Sequence, residues 1–457
     1  MPKKKTALTI EERLQQALVP AEEQPYEVPE NWVWVRLGAV CFFENGYAFK
    51  SDKFSSEKGI PVIRISNIKE NNVDVDDCIK TLEENIDEKF IVHQGDLLIA
   101  MSGATTGKNG VYMSANIAYL NQRVGNIKVK NKELLIEKFR NFYIANMQNE
   151  ILNTAYGGAQ PNISSQKMSV MTFPLPPLSE QQRIVERIEE LFAKLDEAKE
   201  RLQEVAESFA VRKAAILHKA FTGELTKQWR RENGVSDESW EEKKGEDFFE
   251  YVTSGSRGWA KYYSDKGSIF VRMGNLNHGT IELDLSDIQY VELPDQVEGQ
   301  RSKLQKNDIL ISITADVGMI GLVREDMDAY INQHVALARP KNDLYAEFLA
   351  WYFVSDVGLQ QMQNKQRGAT KIGLGLQDIR SIILKIPTLP EQHEIVRLID
   401  DLLARERAAQ QVAEQALASI DLMKKSILAR AFRGELGTNK ASEASALELL
   451  KQVLAEN

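Results

Sequence analysis

Two long stretches of the chain carry apolar residues at alternating steps of four and three positions. This heptad spacing predicts two coiled-coil helices, one over about residues 179–222 and the other over about residues 390–433. The first apolar seam consists of Ile184, Ile188, Leu191, Leu195, Ala198, Leu202, Val205 and Phe209. The second seam keeps the same register and consists of Ile395, Ile399, Leu402, Glu406, Ala409, Ala413, Ala416 and Ile420, of which Glu406 is polar.

The ends of both helices are also marked in the sequence. Ser179 has the side chain of an N-cap, and Gln182 stands three positions later as its capping-box partner. Gly223 and Gly434 follow the two seams at matching places and predict left-handed C-terminal caps. At 1.5 Å per residue each helix is about 65 Å long, which exceeds the width of a globule of about 150 residues.

The sizes of the seam residues predict how the helices pair. The first seam presents Leu195 and Leu202 near its middle, whereas the second presents Ala409 and Ala413. Antiparallel pairing would set large residues against small ones, which fills the space between helices without voids. The alternative is that each seam packs only against its own globule.

Five segments of the chain recur in the same order, at spacings of 208 to 212 positions. The matching pairs are Arg64–Ile68 with Arg272–Leu276, Gly95–Ile99 with Asn307–Ile311, Asn121–Val124 with Asn332–Val335, Leu175–Val185 with Ile386–Val396, and Ala220–Leu225 with Ala431–Leu436. The chain therefore contains two copies of one unit of about 200 residues, which is too long for a solenoid repeat. This internal repeat predicts a pseudo-twofold architecture.

Outside the two helices, each copy combines short β-like runs with loops rich in Gly and Asn. These runs are too irregular for repeated β-α-β units, so we expect an α+β (mixed α/β) fold. The predicted parts are an N-terminal helical segment (1–25), a first globular domain (26–177), a first spacer helix (178–234), a second globular domain (235–388), and a second spacer helix with the C-terminal tail (389–457).

Composition narrows the class of protein. Hydrophobic residues make up 43% of the 457 positions and charged residues 27%, as in ordinary globular proteins. Cys41 and Cys78 are too few for a disulfide framework, the N-terminus lacks an apolar signal region, and no apolar run reaches the ~18 residues of a membrane span. We therefore expect a cytoplasmic protein without a membrane partner.

The net charge of −9 lacks the basic surplus of a free-standing nucleic-acid binder. A DNA-binding role would thus need locally basic faces or partner subunits that supply positive charge. Two loops are rich in amide, hydroxyl or basic groups, at residues 157–167 and 364–373. Such groups contact base edges and phosphates, although similar loops also occur on inert surfaces.

Catalytic signatures are absent from the sequence. The segment Ser102–Lys108 (SGATTGK) has one residue too few between its glycines for a phosphate-binding loop, and Asn109 replaces the Mg²⁺-binding Ser or Thr. No zinc-ligand spacing, nucleophile elbow, methyltransferase motif or dinucleotide-binding motif is present. His334 stands where the first copy has Arg123, which favours a basic contact over a catalytic base.

The residues described so far resemble the specificity subunit of Type I restriction–modification enzymes. The resemblance covers nearly the whole chain. It lies in the hinge and helix starting PLPPLSEQQRIVERIEELFAKLD, in the helix end AILHKAFTGELTKQWR, in their second-copy versions, and in the segments VIRISNI, GDLLIAMSGATTGK and NQRV. Together with the duplication, this combination is specific.

The resemblance implies two target recognition domains that each read one half of a bipartite site in double-stranded DNA. The paired helices would fix the gap between the halves and recruit two methylation subunits, with restriction subunits in the full complex. It implies no catalysis and no cofactor in this chain, because S-adenosylmethionine would bind the methylation subunits and ATP and Mg²⁺ the restriction subunits. The alternatives are a self-contained DNA methyltransferase or nuclease, which would need a cofactor or metal motif, and a coiled-coil scaffold.

We predict DNA contacts from polar, non-acidic residues that both copies place at corresponding points. In the first half these are Arg64, Asn67, Thr105, Lys108, Gln122, Arg123, Gln160, Asn162 and Lys167. In the second half they are Arg272, Asn275, Gln333, His334, Lys365, Arg367, Thr370 and Lys371. For four of them a structural role competes, because the asparagines could cap turns and the glutamines could be buried amides. The second copy also lacks an equivalent of Lys108.

Overall fold

A computed structural model describes residues 9–69, 71–83, 86–156, 160–294, 299–367 and 373–456. The chain forms two compact units. The first comprises Met1–Arg201 and Leu417–Asn457, and the second comprises Leu202–Ala416. Each unit thus contains one globular domain, the N-terminal part of the long helix that follows it and the C-terminal part of the other long helix.

The described elements follow the order predicted from the repeat. The first domain contains α1 (Ile10–Ala17), β1 (Val33–Arg36), α2 (Leu37–Val40), β2 (Cys41–Asn45), β3 (Phe54–Ser55), β4 (Ile60–Ile63), β5 (Asn71–Asn72), β6 (Lys80–Thr81), β7 (Ile91–Val92), β8 (Leu97–Ala100), β9 (Asn109–Val111), β10 (Ala118–Leu120), β11 (Val124–Val129), α3 (Glu137–Asn146), α4 (Gln148–Ala155), α5 (Ser165–Ser169) and β12 (Thr172–Leu175). The long helix α6 (Leu178–Phe221) and the short α7 (Lys227–Glu232) come next.

The second domain repeats this arrangement. It contains β13 (Glu241–Lys244), α8 (Gly245–Phe248), β14 (Phe249–Ser254), β15 (Tyr263–Ser264), β16 (Ser268–Val271), β17 (Tyr290–Val291), β18 (Ile309–Ser312), β19 (Ile320–Leu322), β20 (Ala329–Ile331), β21 (Val335–Pro340), α9 (Ala346–Val354), α10 (Asp356–Asn364), α11 (Leu376–Arg380) and β22 (Ile383–Ile386). The long helix α12 (Leu389–Ala431) and α13 (Ala446–Glu456) end the fold. Short 3₁₀ helices lie at Ala21–Glu23, Ser51–Lys53, Ile65–Asn67, Glu88–Phe90, Trp259–Tyr262, Met273–Asn275 and Gln300–Ser302.

Both domains contain three corresponding sheets, although β5 and β7 of the first have no counterpart among the strands of the second; this confirms the predicted α+β class and the repeat. In the first unit the strand orders are β1-β12, β2-β11-β8-β9-β5 and β3-β6-β4-β10-β7. In the second they are β13-β22, β14-β21-β18-β19 and β15-β17-β16-β20. Most pairings are antiparallel, and the parallel exceptions are β4 with β10, β5 with β9, and β16 with β20.

The apolar run at β8 shows how the first domain is layered. Leu97 and Ile99 belong to the core that includes the long helices, whereas Leu98 and Ala100 belong to the core between the two larger sheets. Successive strand residues point to opposite faces, so a strand that is buried on both sides must be apolar throughout. Ile309 and Leu310 of β18 divide between two cores in the same way.

The two long helices run antiparallel within each unit. In the first unit Arg183, near the start of α6, binds Glu443 beyond the end of α12 at 2.8 Å, and further along α6 Asp196 binds Lys424 of α12 at 2.5 Å. In the second unit Arg212 binds Glu406 at 2.8 Å. Gly223 and Gly434 follow the helices with φ of 81° and 74°, as their C-terminal caps require.

The predicted N-cap of the first long helix is wrong. Helix α6 begins at Leu178, so Ser179 is already helical, and the amide of Gln182 donates to Glu186 instead of closing a capping box. The seam is also unevenly buried: Ile184 is fully buried near the first domain, whereas Val205 is 44% exposed. The reason is that the globular domain covers the ends of the helices, while the middle has only the partner helix.

Buried glutamines join each long helix to its domain. Gln181 Oε1 accepts the N–H of Ile136 at 2.9 Å, directly before α3, and its amide donates to the carbonyl oxygen of Leu134. In the second unit Gln392 Oε1 accepts the N–H of Tyr345 at 3.0 Å, directly before α9. The repeated Glu-Gln dipeptide of the hinge therefore serves as an anchor, because its polar atoms satisfy backbone groups that the packing would leave unpaired.

Candidate DNA interface

The loop between β8 and β9 has the wrong geometry for a phosphate-binding loop. Gly103 and Gly107 adopt φ of 82° and 88°, and the hydroxyl of Thr106 donates to the carbonyl oxygen of Gly103 at 2.7 Å. The next element is strand β9, whereas phosphate binding of this kind needs the N-terminus of a helix. The loop is therefore a compact polar turn, as the missing Mg²⁺ ligand predicted.

Three loops of the first domain converge at one edge of its sheets. Met101 donates its N–H to the carbonyl oxygen of Arg123 at 2.9 Å, and Gly103 donates to Pro161 at 3.0 Å. Ser102 and Asn162 form a β-bridge. An open cavity of about 550 Å³ lies where these loops meet. Its polar lining consists of Asn45, Ser102, Gln122, Arg123, Gln160 and Asn162.

The structure thus brings together four of the predicted contact residues, and all four are exposed. These are Gln122, Arg123, Gln160 and Asn162. Gln122 is not a buried amide, so its structural alternative does not apply. The Oγ of Ser102 is buried and has no hydrogen-bond partner among the described residues. The lining offers amide, hydroxyl and guanidinium groups, which match the donor and acceptor pattern of base edges.

Sequence reasoning missed Asn45 and Ser102. Asn45 ends β2, and its Oδ1 accepts the hydroxyl of Ser165 at 2.5 Å. Neither residue lies in a segment that repeats closely, so the comparison of the two copies could not find them. The available signal was Gly46, which follows Asn45. A Cβ at this position would lie 2.1 Å from the carbonyl oxygen of Asn121, so the glycine marks the close approach of β2 to this loop.

The second domain builds the same edge with different side chains. Ile313 donates its N–H to the carbonyl oxygen of His334 at 3.0 Å, and Thr314 forms a β-bridge with Gly373. Nδ1 of His334 lies 2.6 Å from the hydroxyl of Thr314, and Nε2 lies 2.9 Å from the amide nitrogen of Gln333. Both ring nitrogens therefore have partners, and His334 itself is exposed.

Asn67 and Asn275 face inward in both domains. Oδ1 of Asn67 accepts the N–H of Arg64 at 3.0 Å, and Oδ1 of Asn275 accepts the N–H of Arg272 at 2.9 Å. Both side chains are buried at 4% exposure. We therefore assign them the turn-capping role and leave them out of the proposed surface. Their neighbours Arg64 and Arg272 are half-buried, and the guanidinium of Arg272 binds Asp287 at 3.1 Å.

The remaining predicted residues differ in accessibility. Lys167 is exposed and its ammonium donates to the carbonyl oxygen of Thr154, whereas Thr105, Lys108 and Lys365 are half-buried. The side chain of Arg367 is 81% exposed and binds Asp378 at 2.8 Å. Thr370 and Lys371 lie outside the described residues.

Two negative findings apply to the described part of the chain. No group of three or more His, Cys, Asp or Glu side chains is placed to hold a metal ion among the residues that the structure describes. Within the same residues, no helix has the length and apolar character needed to cross a membrane.

Comparison with known families gives the same division of the chain. The family described as Type I restriction modification DNA specificity domain matches residues 29–207 and 237–415. Each match covers one globular domain and the first part of the long helix that follows it. The chain belongs to the Type I restriction–modification specificity subunit family. As a member of this family, it supplies DNA-sequence specificity.

Curated relatives cover almost the whole chain. It is 29% identical to the Type I restriction enzyme EcoBI specificity subunit of Escherichia coli, over 94% of this chain and 93% of the relative. It is 26% identical to the EcoKI specificity subunit of Escherichia coli strain K12, over 94% and 96%. A crystal structure of the HsdS subunit from Thermoanaerobacter tengcongensis shares the fold, with a TM-score of 0.60, 19% identity, and coverage of 91% of this chain and 100% of that chain.

Proposed function

We propose that each recognition domain of this specificity subunit reads one half of a bipartite DNA site. The observation that carries this proposal is the loop edge that both domains build at corresponding positions. Arg123 and His334 occupy the same place in it, as do Ser102 and Thr314. The backbone of the edge is kept while its side chains differ, which is what two readers of different half-sites require.

We propose that the long helices set the gap between the half-sites. Both helices are continuous over more than forty residues, Leu178–Phe221 and Leu389–Ala431. A helix is a stiff spacer because each residue adds a fixed rise of 1.5 Å. The number of unread base pairs therefore depends on helix length.

Apolar side chains on the long helices support the binding of partner subunits. In the second unit Val211 and Val412 are 69% and 66% exposed, and in the first unit Leu422 is 67% exposed. Contiguous exposed apolar patches mark protein–protein contacts, and we propose that these residues belong to such patches. We propose that two methylation subunits bind here, that restriction subunits join the full complex, and that this chain is not itself catalytic.

The same partner subunits would compensate for the negative net charge of this chain and would bind the cofactors. A chain with a net charge of −9 gains little from phosphate contacts alone, so the methylation subunits would supply further positive charge around the DNA. S-adenosylmethionine would bind the methylation subunits, and ATP and Mg²⁺ the restriction subunits. This chain would hold no cofactor, and the complex would act on cytoplasmic DNA.

Methylome sequencing of a host that expresses this chain with its methylation subunits tests the proposal. We expect one methylated motif with two specified halves and an unspecified gap. The matched controls are hosts with the methylation subunits alone and with this chain alone. Methylation of a continuous motif would contradict the two-reader arrangement, and methylation by this chain alone would favour a self-contained methyltransferase.

A further inference from the structure

The two copies of the repeat differ in the sign of one charge at matching positions on the long helices. In the first unit the ammonium of Lys424 lies 2.5 Å from the carboxylate of Asp196. In the second copy the corresponding positions, 211 residues away, are Lys213 and Arg407. An attractive pair in one unit is therefore replaced by two like charges in the other.

Lys213 interacts electrostatically with Arg407 and is partly out of water, whereas Arg407 is exposed. Lys213 is half-buried, and burial together with the neighbouring Arg407 lowers the pKa of its ammonium. A Cβ at Gly279 would lie 3.4 Å from Nζ of Lys213, so the backbone of that loop packs on the ammonium. Among the described residues, no carboxylate lies within ion-pair distance of either cation. A second cation beside a half-buried ammonium disfavours its charged form, and a bound anion would favour it.

Lys213 and Arg407 both line a cavity of about 290 Å³. It is also lined by Ala206, Phe209, Ala210, Thr280, Trp351, Leu403, Glu406 and Gln410. The carboxylate of Glu406 is bound by Arg212 at 2.8 Å and, among the described residues, forms no ion pair with Lys213 or Arg407. Asp400 interacts electrostatically with Arg407 but does not line the cavity.

The cavity wall adds a hydrogen-bond donor that the first unit lacks. Trp351 is 6% exposed, and its indole N–H has no acceptor among the described residues. The matching residue of the first unit is Phe142, which has no polar atom and lies beside Phe192. Two cations and an unpaired donor around one cavity are the groups with which proteins bind oxyanions.

We propose that this cavity is a binding site for a compact oxyanion of the phosphate class, held by Lys213 and Arg407. The ligand is either inorganic phosphate or the phosphate group of a mononucleotide. The site belongs to the second unit only, because Asp196 already neutralises the matching lysine of the first unit. The proposal does not depend on how the recognition domains read DNA.

Titration of the full-length chain with inorganic phosphate tests the site. Binding is measured by isothermal titration calorimetry and by thermal unfolding, with sodium chloride at matched ionic strength as the reference. We expect one phosphate site in the wild-type chain. Arg407→Asp recreates the ion pair of the first unit and should weaken phosphate binding at least tenfold. Arg407→Gln removes one charge without reversing it and should weaken binding less.

The first unit provides the converse experiment. Asp196→Arg creates there the like-charge pair of the second unit, and we expect it to add phosphate binding at a second site. Adenosine monophosphate, used in place of inorganic phosphate, shows whether a nucleotide can supply the group. Circular dichroism is used to check that each variant is folded. We expect the Arg407 variants to fold because Arg407 is exposed. Equal phosphate affinity of the wild type and Arg407→Asp, or no binding to the wild type at millimolar phosphate, would overturn the proposal.

Discussion

The guanidinium of Arg230 binds the carboxylate of Glu391 at 2.7 Å, and the side chains are only 7% and 0% exposed. Thr226 donates its hydroxyl to the same carboxylate at 2.7 Å. This cluster joins the segment after α6 to the start of α12. The matching Glu180 of the first unit forms no ion pair among the described residues, and instead accepts the indole N–H of Trp32 at 2.7 Å and the amide of Asn439 at 2.8 Å.

We expect Arg230→Met to destabilise the second unit by about 3–5 kcal/mol, because it leaves the carboxylate of Glu391 buried without its cation. Urea unfolding followed by circular dichroism measures the change. Arg187→Met is the control, since the Arg187–Glu190 pair is exposed and contributes only about 0–1 kcal/mol. Equal changes in the free energy of unfolding for the two substitutions would show that the buried pair stabilises the start of α12 no more than an exposed pair does.

Arg123→Ala should relax one position in one half of the DNA site. Arg123 is exposed and lines the cavity of the first domain, and loss of a base-reading arginine costs about 1–3 kcal/mol. Binding of the complex with the methylation subunits is measured on DNA altered in each half separately. Lys167→Ala is the comparison, because loss of a phosphate contact should weaken all sequences alike and flatten the salt dependence. Unchanged affinity and preference in both variants would remove this edge from the DNA interface.

One heptad added to each long helix should lengthen the gap between half-sites. The insertions belong after Arg201 in α6 and before Leu417 in α12, where the two units divide. Each adds about 10 Å of helix, or roughly three base pairs. Methylome sequencing should then find the same half-sites with a longer gap. The control variant carries the inserted heptad sequences in place of existing heptads, so its helices keep their length and its gap should not change. An active insertion variant with the original gap would contradict the spacer role.

Cys41 and Cys78 should resist alkylation in the folded chain. Both are free and buried, and burial raises the pKa of Cys41 to about 12 and that of Cys78 to about 11. At pH 8 both thiols are therefore protonated, and the reactive thiolate is scarce. Mass spectrometry after iodoacetamide should find little modification until guanidinium unfolds the chain. Rapid modification of the native protein would show that one of the two sites opens.

Cysteines at Asp196 and Lys424 should be joined within one chain by a short bis-maleimide. Their side chains meet in the first unit, and the native cysteines are buried. Gel mobility and mass spectrometry would detect the intramolecular product. Asp196→Cys alone is the control. Cross-links only between chains would contradict antiparallel pairing within one chain.

The sequence predicted the long helices closely but not the sheets. Heptad spacing and the terminal glycines are local signals, so the predicted bounds agree with α6 and α12 within two residues. Most strands have only two to four residues and pair with distant segments, so no local pattern reveals their order. Within the candidate interface, Arg123 was found because NQRV recurs as NQHV. Ser102 was missed because it comes beside Asn162 only when the sheets fold.

The division of the first unit between two distant segments determines when it can fold. Its main core includes Phe432, Leu450 and Val453 beside Phe139 and Phe173. The second unit is a continuous segment, Leu202–Ala416. During synthesis, we therefore expect the first domain to complete its core only when residues made more than two hundred positions later are available, while the second can complete its core sooner. We expect the order in which the two cores are completed to be the reverse of the order of synthesis.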